Sequence, residues 1–275
     1  LCGKDYIIEN RENEEKKMTD KKVGFIGGGR ITRILLEGFK RGGATFHEIV
    51  ASDLNVSVLT ILKERFPEIN IADDNRQPAS RDIVFLALHP PAIKDVLEEI
   101  MASLNPNAVL VSLAPKVTIK MISETLGGFQ RIVRMIPNAC SLVNAGYNPI
   151  AFSEAISKSE RDELLGMLHI LGECPVVEEN TLEAYAILTA MGPTYLWFQA
   201  DELKKIGTSF GLSSEEVNHG LSKMVAGALK MYFESGLTSE EVMDLIPGKP
   251  LKDEEETIRT IYESRLQALY KKLKG

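Results

Sequence analysis

Apolar positions in the first two thirds of the chain fall into short runs, each followed by a stretch with helical spacing. Val23 to Ile26 is a short apolar run that ends in glycines. Ile31 to Lys40 then shows helical spacing, which Gly42 and Gly43 can stop. Glu48 to Ser52 reads as a second strand, and Val56 to Phe66 as a second helix that Pro67 ends. Ile83 to Leu88 is apolar throughout, as expected for a strand buried on both faces. Pro90 and Pro91 open a helix that runs to about Ser103. Ala108 to Leu113 reads as a buried strand and Thr118 to Leu126 as a helix. Ile132 to Met135 and Pro175 to Glu178 complete the strand-like runs. This alternation predicts an α/β protein with a Rossmann-type, doubly wound, mostly parallel sheet covered by helices on both faces.

Past about Glu179 the strand signal disappears. Leu221, Met224, Val225, Ala228, Leu229 and Tyr232 form one helical stripe, and Ile258, Ile261, Tyr262, Leu266, Leu269 and Tyr270 form another. The region is therefore expected to be all-helical. Such stripes more often line an internal core. In a region this short, a core shared between two chains stays open as an alternative. The expected organisation is a flexible tail over residues 1–21, a dinucleotide-binding domain over 22–178 and a helical domain over 179–275. Met18 just before the first strand has the character of a natural start, with the charged segment ahead of it an extension.

Composition narrows the function classes. The net charge of −7, with no run of Lys and Arg, argues against a nucleic-acid partner. No stretch approaches the roughly 18 apolar residues of a membrane span. Cys2, Cys140 and Cys174 are an odd set without metal-ligand spacing, and they read as reduced thiols of a cytoplasmic protein. No structural metal is expected.

The candidate chemistry sits in the loops after the strands. Gly27, Gly28, Gly29, Arg30, Ile31 and Thr32 come directly after the first strand and open a helix. Gly27 permits the tight turn. Gly29 lets the backbone approach a pyrophosphate held on the helix N-terminus. The third fingerprint position is Thr32 instead of glycine or alanine. A ligand-free βα turn is the bland reading, and correct placement between strand and helix weighs against it. Asp53, at the end of the second strand, is placed to accept ribose hydroxyls and to repel a 2′-phosphate, which favours NADH. Arg30 and Ser52 point the other way, since each can contact a phosphate. His89 invites a catalytic reading, although turn histidines are more often solvated. No residue stands out as a catalytic acid or base.

Taken together, these stretches resemble the pyrroline-5-carboxylate reductases, from about Lys22 to about Leu269. The resemblance rests on Val23 to Gly29 (Val-Gly-Phe-Ile-Gly-Gly-Gly), Ala51-Ser52 and Asp82 to Pro90. It also rests on Val111-Ser112, Val117 to Ile119 and Arg134 to Asn138 (Arg-Met-Ile-Pro-Asn), then on Gly192-Pro193, Tyr195 and Gly227 to Met231. It implies NAD(P)H-dependent reduction of 1-pyrroline-5-carboxylate to L-proline, and a Rossmann domain followed by a helical dimerisation domain. A homodimer or higher homo-oligomer through 179–275 is then expected, with each active site drawing on both chains. Carried over by position, Ile26, Gly27, Gly28, Gly29, Arg30, Ile31, Ser52, Asp53, Ala87, Leu88, His89, Pro90, Leu113, Ala114 and Pro115 would line the cofactor. Thr189, Met191, Gly192 and Pro193 fall on the family's substrate helix.

The departures gather on the substrate side. The family's loop reads Ser-Pro-Gly-Gly-Thr/Ala-Thr, and its last Thr helps to hold the substrate nitrogen. Here the stretch is Ile-Pro-Gly-Lys-Pro-Leu, from Ile246 to Leu251, and the segment before it is about two residues short. Gly236 falls where some members carry a Glu. Lys116 replaces a glycine, and His89 replaces a lysine. Lys249 offers a positive charge for an acidic substrate, or is a solvated loop lysine. Three readings fit this pattern: a reductase of the cyclic imine 1-pyrroline-5-carboxylate, an NAD(P)-dependent oxidoreductase of another imino or keto acid, and a cofactor-binding protein with little catalysis.

Overall fold

The computed structural model describes residues 18–274. Of the expected tail, residues 1–17 lie outside the described residues, and Met18 already begins a strand. The chain divides into two units, one reaching Ala190 and the other spanning Met191–Leu273.

In the first unit, β1 (Met18–Ile26), α1 (Arg30–Arg41), β2 (Thr45–Ser52), α2 (Val56–Arg65) and β3 (Asn70–Ile71) come first. They are followed by α3 (Arg76–Ala79), β4 (Ile83–Leu86), α4 (Pro90–Ile100), β5 (Val109–Ser112), α5 (Ile119–Thr125) and β6 (Ile132–Met135). Next come a short strand of a side ladder, β7 (Gly146–Tyr147), and the last strand of the main sheet, β8 (Ile150–Phe152). After these come α6 (Lys158–Leu168), β9 (Gly172–Glu173) and α7 (Leu182–Tyr185). The main sheet has the order β3-β2-β1-β4-β5-β6-β8. Its strands are parallel apart from β8, which runs antiparallel along β6. β7 and β9 pair separately.

Alternation along the central strands explains the two faces. Val23, Phe25, Ile83 and Phe85 face a cluster that includes Leu35, Phe39, Leu62 and Leu168. Ile26, Val84 and Leu86 face Ile93, Leu97, Ile100 and Ile122 on the other side. Phe25 and Phe85 stack with ring centroids 4.9 Å apart. Each such side chain, removed from water, contributes about 1.5–3 kcal/mol. One expectation is corrected. Pro175 to Glu178 is not a strand but makes a single bridge, between Val176 and Ile150. Pro175 has no amide hydrogen to donate to a ladder, and the strand in this region lies just before it, at β9.

The second unit is entirely helical. It holds α8 (Pro193–Ser209), α9 (Ser214–Glu234), α10 (Ser239–Asp244) and α11 (Glu255–Lys274). Reciprocal caps start two of them, Ser213 with Glu216 and Thr238 with Glu241. Among the described residues of this unit only Val217 is buried. The stripe residues Met224, Leu229, Tyr232, Ile258 and Ile261 are exposed, so the stripes do not form a core within one chain.

Candidate functional site

Strand order reverses between β1 and β4, and in open α/β sheets the crevice at such a switch point takes the ligand. The loops leaving those two strands meet there. Gly27 has φ +101°, and a Cβ on it would lie 2.5 Å from the Ala87 carbonyl oxygen. Only glycine fits that position. The amide of Gly27 bonds to the Ser52 carbonyl at 2.8 Å, which ties the turn to the end of β2. Thr32 is fully buried, and its hydroxyl donates to the Gly27 carbonyl. The departure from the fingerprint at this third position thus braces the turn from below.

Gly29 differs from Gly27 in both respects. Its φ is −67°, which any residue adopts, and a Cβ on it would meet nothing within 4 Å. It is the N-cap of α1 and offers no side-chain cap, and the first turn carries no acidic residue. The leading amides of α1 and the positive end of its dipole therefore open on free space, which is the arrangement that binds a phosphate. Arg30 is exposed and Ile31 half-buried beside it.

At the end of β2 the carboxylate of Asp53 accepts the Gly28 amide at 2.8 Å and the Asn55 amide at 2.8 Å. Ser52 is buried, and its hydroxyl donates to the Asn75 side chain at 2.8 Å. Beyond Asp53 lies a cleft of about 450 Å³ lined by Leu54, Val56, Thr60, Ala72 and Asp73, among others. Leu54 is 96% exposed and Val56 73%, so both present apolar surface fit to meet a flat base. The sequence reading missed these residues. The signal was there, in two apolar side chains directly after the carboxylate. Ala87 and Leu88 are half-buried, His89 is exposed as the N-cap of α4, and Pro90 opens that helix. After β5, Leu113 and Ala114 are buried and Pro115 is half-buried. Ile26 is fully buried, so it can offer a ligand only its backbone.

The turn after β5 is held by a buried ionic clamp, also missed in the sequence. The Arg134 side chain on β6 is 1% exposed and reaches Glu183 at 2.7 Å and Glu179 at 3.0 Å. The same oxygen of Glu183 accepts the Lys116 amide at 3.1 Å, and that of Glu179 the Ile119 amide at 2.7 Å. One guanidinium thus fastens two carboxylates that each grip the 116–119 turn. Burial pushes the Glu183 carboxyl up, but the bond to Arg134 and the Lys116 amide outweigh this and hold it below the usual range. Arg134 alone in the run Ile-Val-Arg-Met was the readable signal, because a buried charge demands partners. Glu179 and Glu183 stand four residues apart to answer it.

The clamp also anchors the segment beyond α7. There the chain makes a π-helical turn at Ala186–Ala190, a form that recurs at functional sites. Thr189 lies in this turn. Its hydroxyl donates to the Tyr185 carbonyl at 2.8 Å, and its own carbonyl accepts the Asn138 side-chain amide. In the second unit Met191 and Gly192 precede α8, and Pro193 is its first residue. The carbonyl of Met191 accepts the Thr194 hydroxyl at 2.6 Å. Lys249 is exposed in the loop between α10 and α11. Among the described residues, no three His, Cys, Asp or Glu side chains gather as a metal site requires. No helix there is long and apolar enough to cross a membrane.

A glycine turn with an open helix start at the switch point of a doubly wound sheet, with a carboxylate on the neighbouring strand, fits a dinucleotide. This is the nicotinamide-dependent oxidoreductase class. A family model described as NADP oxidoreductase, coenzyme F420-dependent, matches residues 22–116, which span the turn and the strands around it. The pyrroline-5-carboxylate reductase of Escherichia coli K12 is 27% identical over 233 residues, covering 83% of this chain and 86% of that protein. A solved pyrroline-5-carboxylate reductase from Coxiella burnetii is 28% identical with a TM-score of 0.67, covering 93% of this chain and 95% of that one. The Plasmodium falciparum pyrroline carboxylate reductase, solved with NADP bound, shares the fold at a TM-score of 0.80 and 19% identity, covering 94% and 98%. Over most of its length the chain is similar to pyrroline-5-carboxylate reductases.

Proposed function

We propose that this protein reduces the C=N bond of 1-pyrroline-5-carboxylate to give L-proline, using NAD(P)H. The observation that carries the reading is the open N-terminus of α1 behind Gly29, in a chain that matches these reductases over most of its length. When bound, the reduced nicotinamide supplies a hydride to the imine carbon. The protein's part is positioning and electrostatics. The amides at Arg30 and Ile31 hold the diphosphate, Asp53 holds the ribose, and the turns after β4 and β5 (Ala87, Leu88, His89 and Pro90, then Leu113, Ala114 and Pro115) orient the ring. Substrate contacts are assigned to Thr189, Met191, Gly192, Pro193 and Lys249.

NADH is the preferred cofactor in this reading. Asp53, Glu64 and Asp73 line the adenosine cleft, and carboxylates repel a 2′-phosphate. Of the groups that would welcome that phosphate, Arg30 is exposed, whereas two others are engaged. Ser52 is bonded to Asn75, and Lys63 donates to the Pro67 carbonyl at 2.9 Å.

The working unit is a homo-oligomer assembled through the helical region. A unit with one buried residue among those described, while Trp197, Phe198, Phe210 and Phe233 are 55–79% exposed, needs apolar surface from elsewhere. A second copy presents the same stripes. A reducing, cytoplasmic setting is part of the same proposal, as the odd number of cysteines without metal-ligand spacing suggests.

A second reading, another imino or keto acid, is favoured by Leu251. It is 66% exposed where a hydroxyl is expected, and it can donate no hydrogen bond. Steady-state assays of the full chain with 1-pyrroline-5-carboxylate and each reduced cofactor decide. Turnover with NADH supports the proposal. Tight NADH binding without turnover of this substrate moves the assignment to the second reading.

A further inference from the structure

Lys116 sits on the turn after β5 with φ +73°, in the left-handed region that favours glycine and disfavours a side chain. Residues held in such conformations cluster at functional sites, and the surroundings must enforce them. Here the enforcement is visible. The Lys116 amide is bonded to Glu183, whose carboxylate is itself fixed by the buried Arg134. The backbone is pinned while the side chain is exposed. Among the described residues its ammonium makes no ion pair with Glu179, Glu183 or any other carboxylate.

Location says which anion such a cation meets. The diphosphate end of the cofactor site is the start of α1, after β1. The turn bearing Lys116 comes after β5, two strands further along the sheet, beside Pro115 and toward the reacting end. NADH carries its negative charge on the diphosphate alone. An anion at the other end therefore belongs to the substrate.

We propose that Lys116 is a specificity-determining residue that binds the carboxylate of the imine substrate. This deepens the function proposed above and rests on it. The four-carbon stem lets the ammonium swing onto a carboxylate that the pinned backbone does not itself reach.

The experiment compares wild type with Lys116→Met, Lys116→Gly and Lys116→Arg, all as full-length protein with saturating NADH. Two substrates are used, 1-pyrroline-5-carboxylate and 1-pyrroline, which is the same ring without the carboxylate. Met removes the charge and keeps the strained backbone, whereas Gly removes both. The expected result is a rise in KM for the carboxylated ring of about tenfold or more in Met and Gly alike. Arg should recover most of this, with 1-pyrroline kinetics and the Kd for NADH unchanged within about twofold. If KM for the two rings moves in parallel, or neither moves, the ammonium only balances local charge and the proposal is overturned. If wild type reduces neither ring, the proposed function has failed, and the role of Lys116 is read from calorimetric titration of L-proline into the NADH complex. Proline binding weakened about tenfold in Lys116→Met supports the carboxylate role. Equal binding, or none in wild type, ends it.

Discussion

Replacing Glu183 by Gln tests whether the ionic clamp organises the site. The substitution keeps the shape and one acceptor but removes the negative charge beside an Arg134 side chain that is 1% exposed. Breaking one partner out of a buried pair costs about 3–5 kcal/mol, because the other charge is left uncompensated. Glu179 still reaches Arg134 at 3.0 Å and is 32% exposed, so the lower end applies, about 3 kcal/mol. In a unit of this size that lowers Tm by roughly 6–12 °C. Thermal and urea unfolding of the full chain, followed by circular dichroism, read this directly. The pH dependence gives a second check. The folded pKa of Glu183 lies below its unfolded value, so its contribution is fully present above the ordinary carboxylate range and is lost as pH falls through the depressed value. The gap between wild type and Glu183→Gln should thus be constant near neutrality and shrink in acid. A Glu183→Gln protein within about 2 °C of wild type would show that the clamp carries no such energy.

Gly29→Val should leave Tm within about 2 °C, because its Cβ meets only open space, yet weaken NADH binding at least tenfold in a fluorescence titration. Unchanged affinity would remove the diphosphate from α1. Asp53→Ser should shift the ratio of kcat/KM for NADH and NADPH toward NADPH about tenfold, and an unmoved ratio would mean that Asp53 does not meet the ribose. Lys116→Gly should raise Tm by roughly 2–4 °C, as relief of a left-handed lysine is worth about 1 kcal/mol. Light scattering at micromolar concentration should give at least twice the 30.4 kDa chain mass, and a monomer would refute the assembly.

What could be read from the sequence tracks how much of each signal is local. Ile132 to Met135 is a strand because four buried residues sit on a central position, and its bounds are those read from the apolar run. The glycine turn is likewise local, with its strand, turn and helix contiguous. β3 and β8, two and three residues long, owe their existence to neighbours in the sheet and leave no periodic trace. The Arg134 clamp joins residues 45 and 49 positions apart. Its carboxylate partners are ordinary helix residues until the fold brings them to β6. The stripes of α9 and α11 were legible as helices. What they face was not, because an amphipathic stripe is the same whether its partner is the same chain or another.

The departures from the family pattern sort by whether the structure supplies a compensating contact. Thr32 departs from the fingerprint, and its hydroxyl returns a bond to Gly27. Lys116 departs from glycine at a left-handed position, and Glu183 holds the amide that the conformation turns inward. Both lie on the cofactor-bearing unit, and both leave its geometry intact. Leu251 has no such return. It is exposed, and the loop around it carries Lys249 and two prolines but no hydroxyl. If selection had released the whole chain, uncompensated changes should fall on the glycine turn as often as on this loop. The glycine turn carries no uncompensated change, which argues for a kept diphosphate site, and Leu251 argues for an altered grip on the substrate. With the proposed role of Lys116, and without the hydroxyl at Leu251, recognition is expected to rest on the acid more than on the ring nitrogen. Discrimination should then track the carboxylate, and substrates that share it while differing in ring size should be separated only weakly.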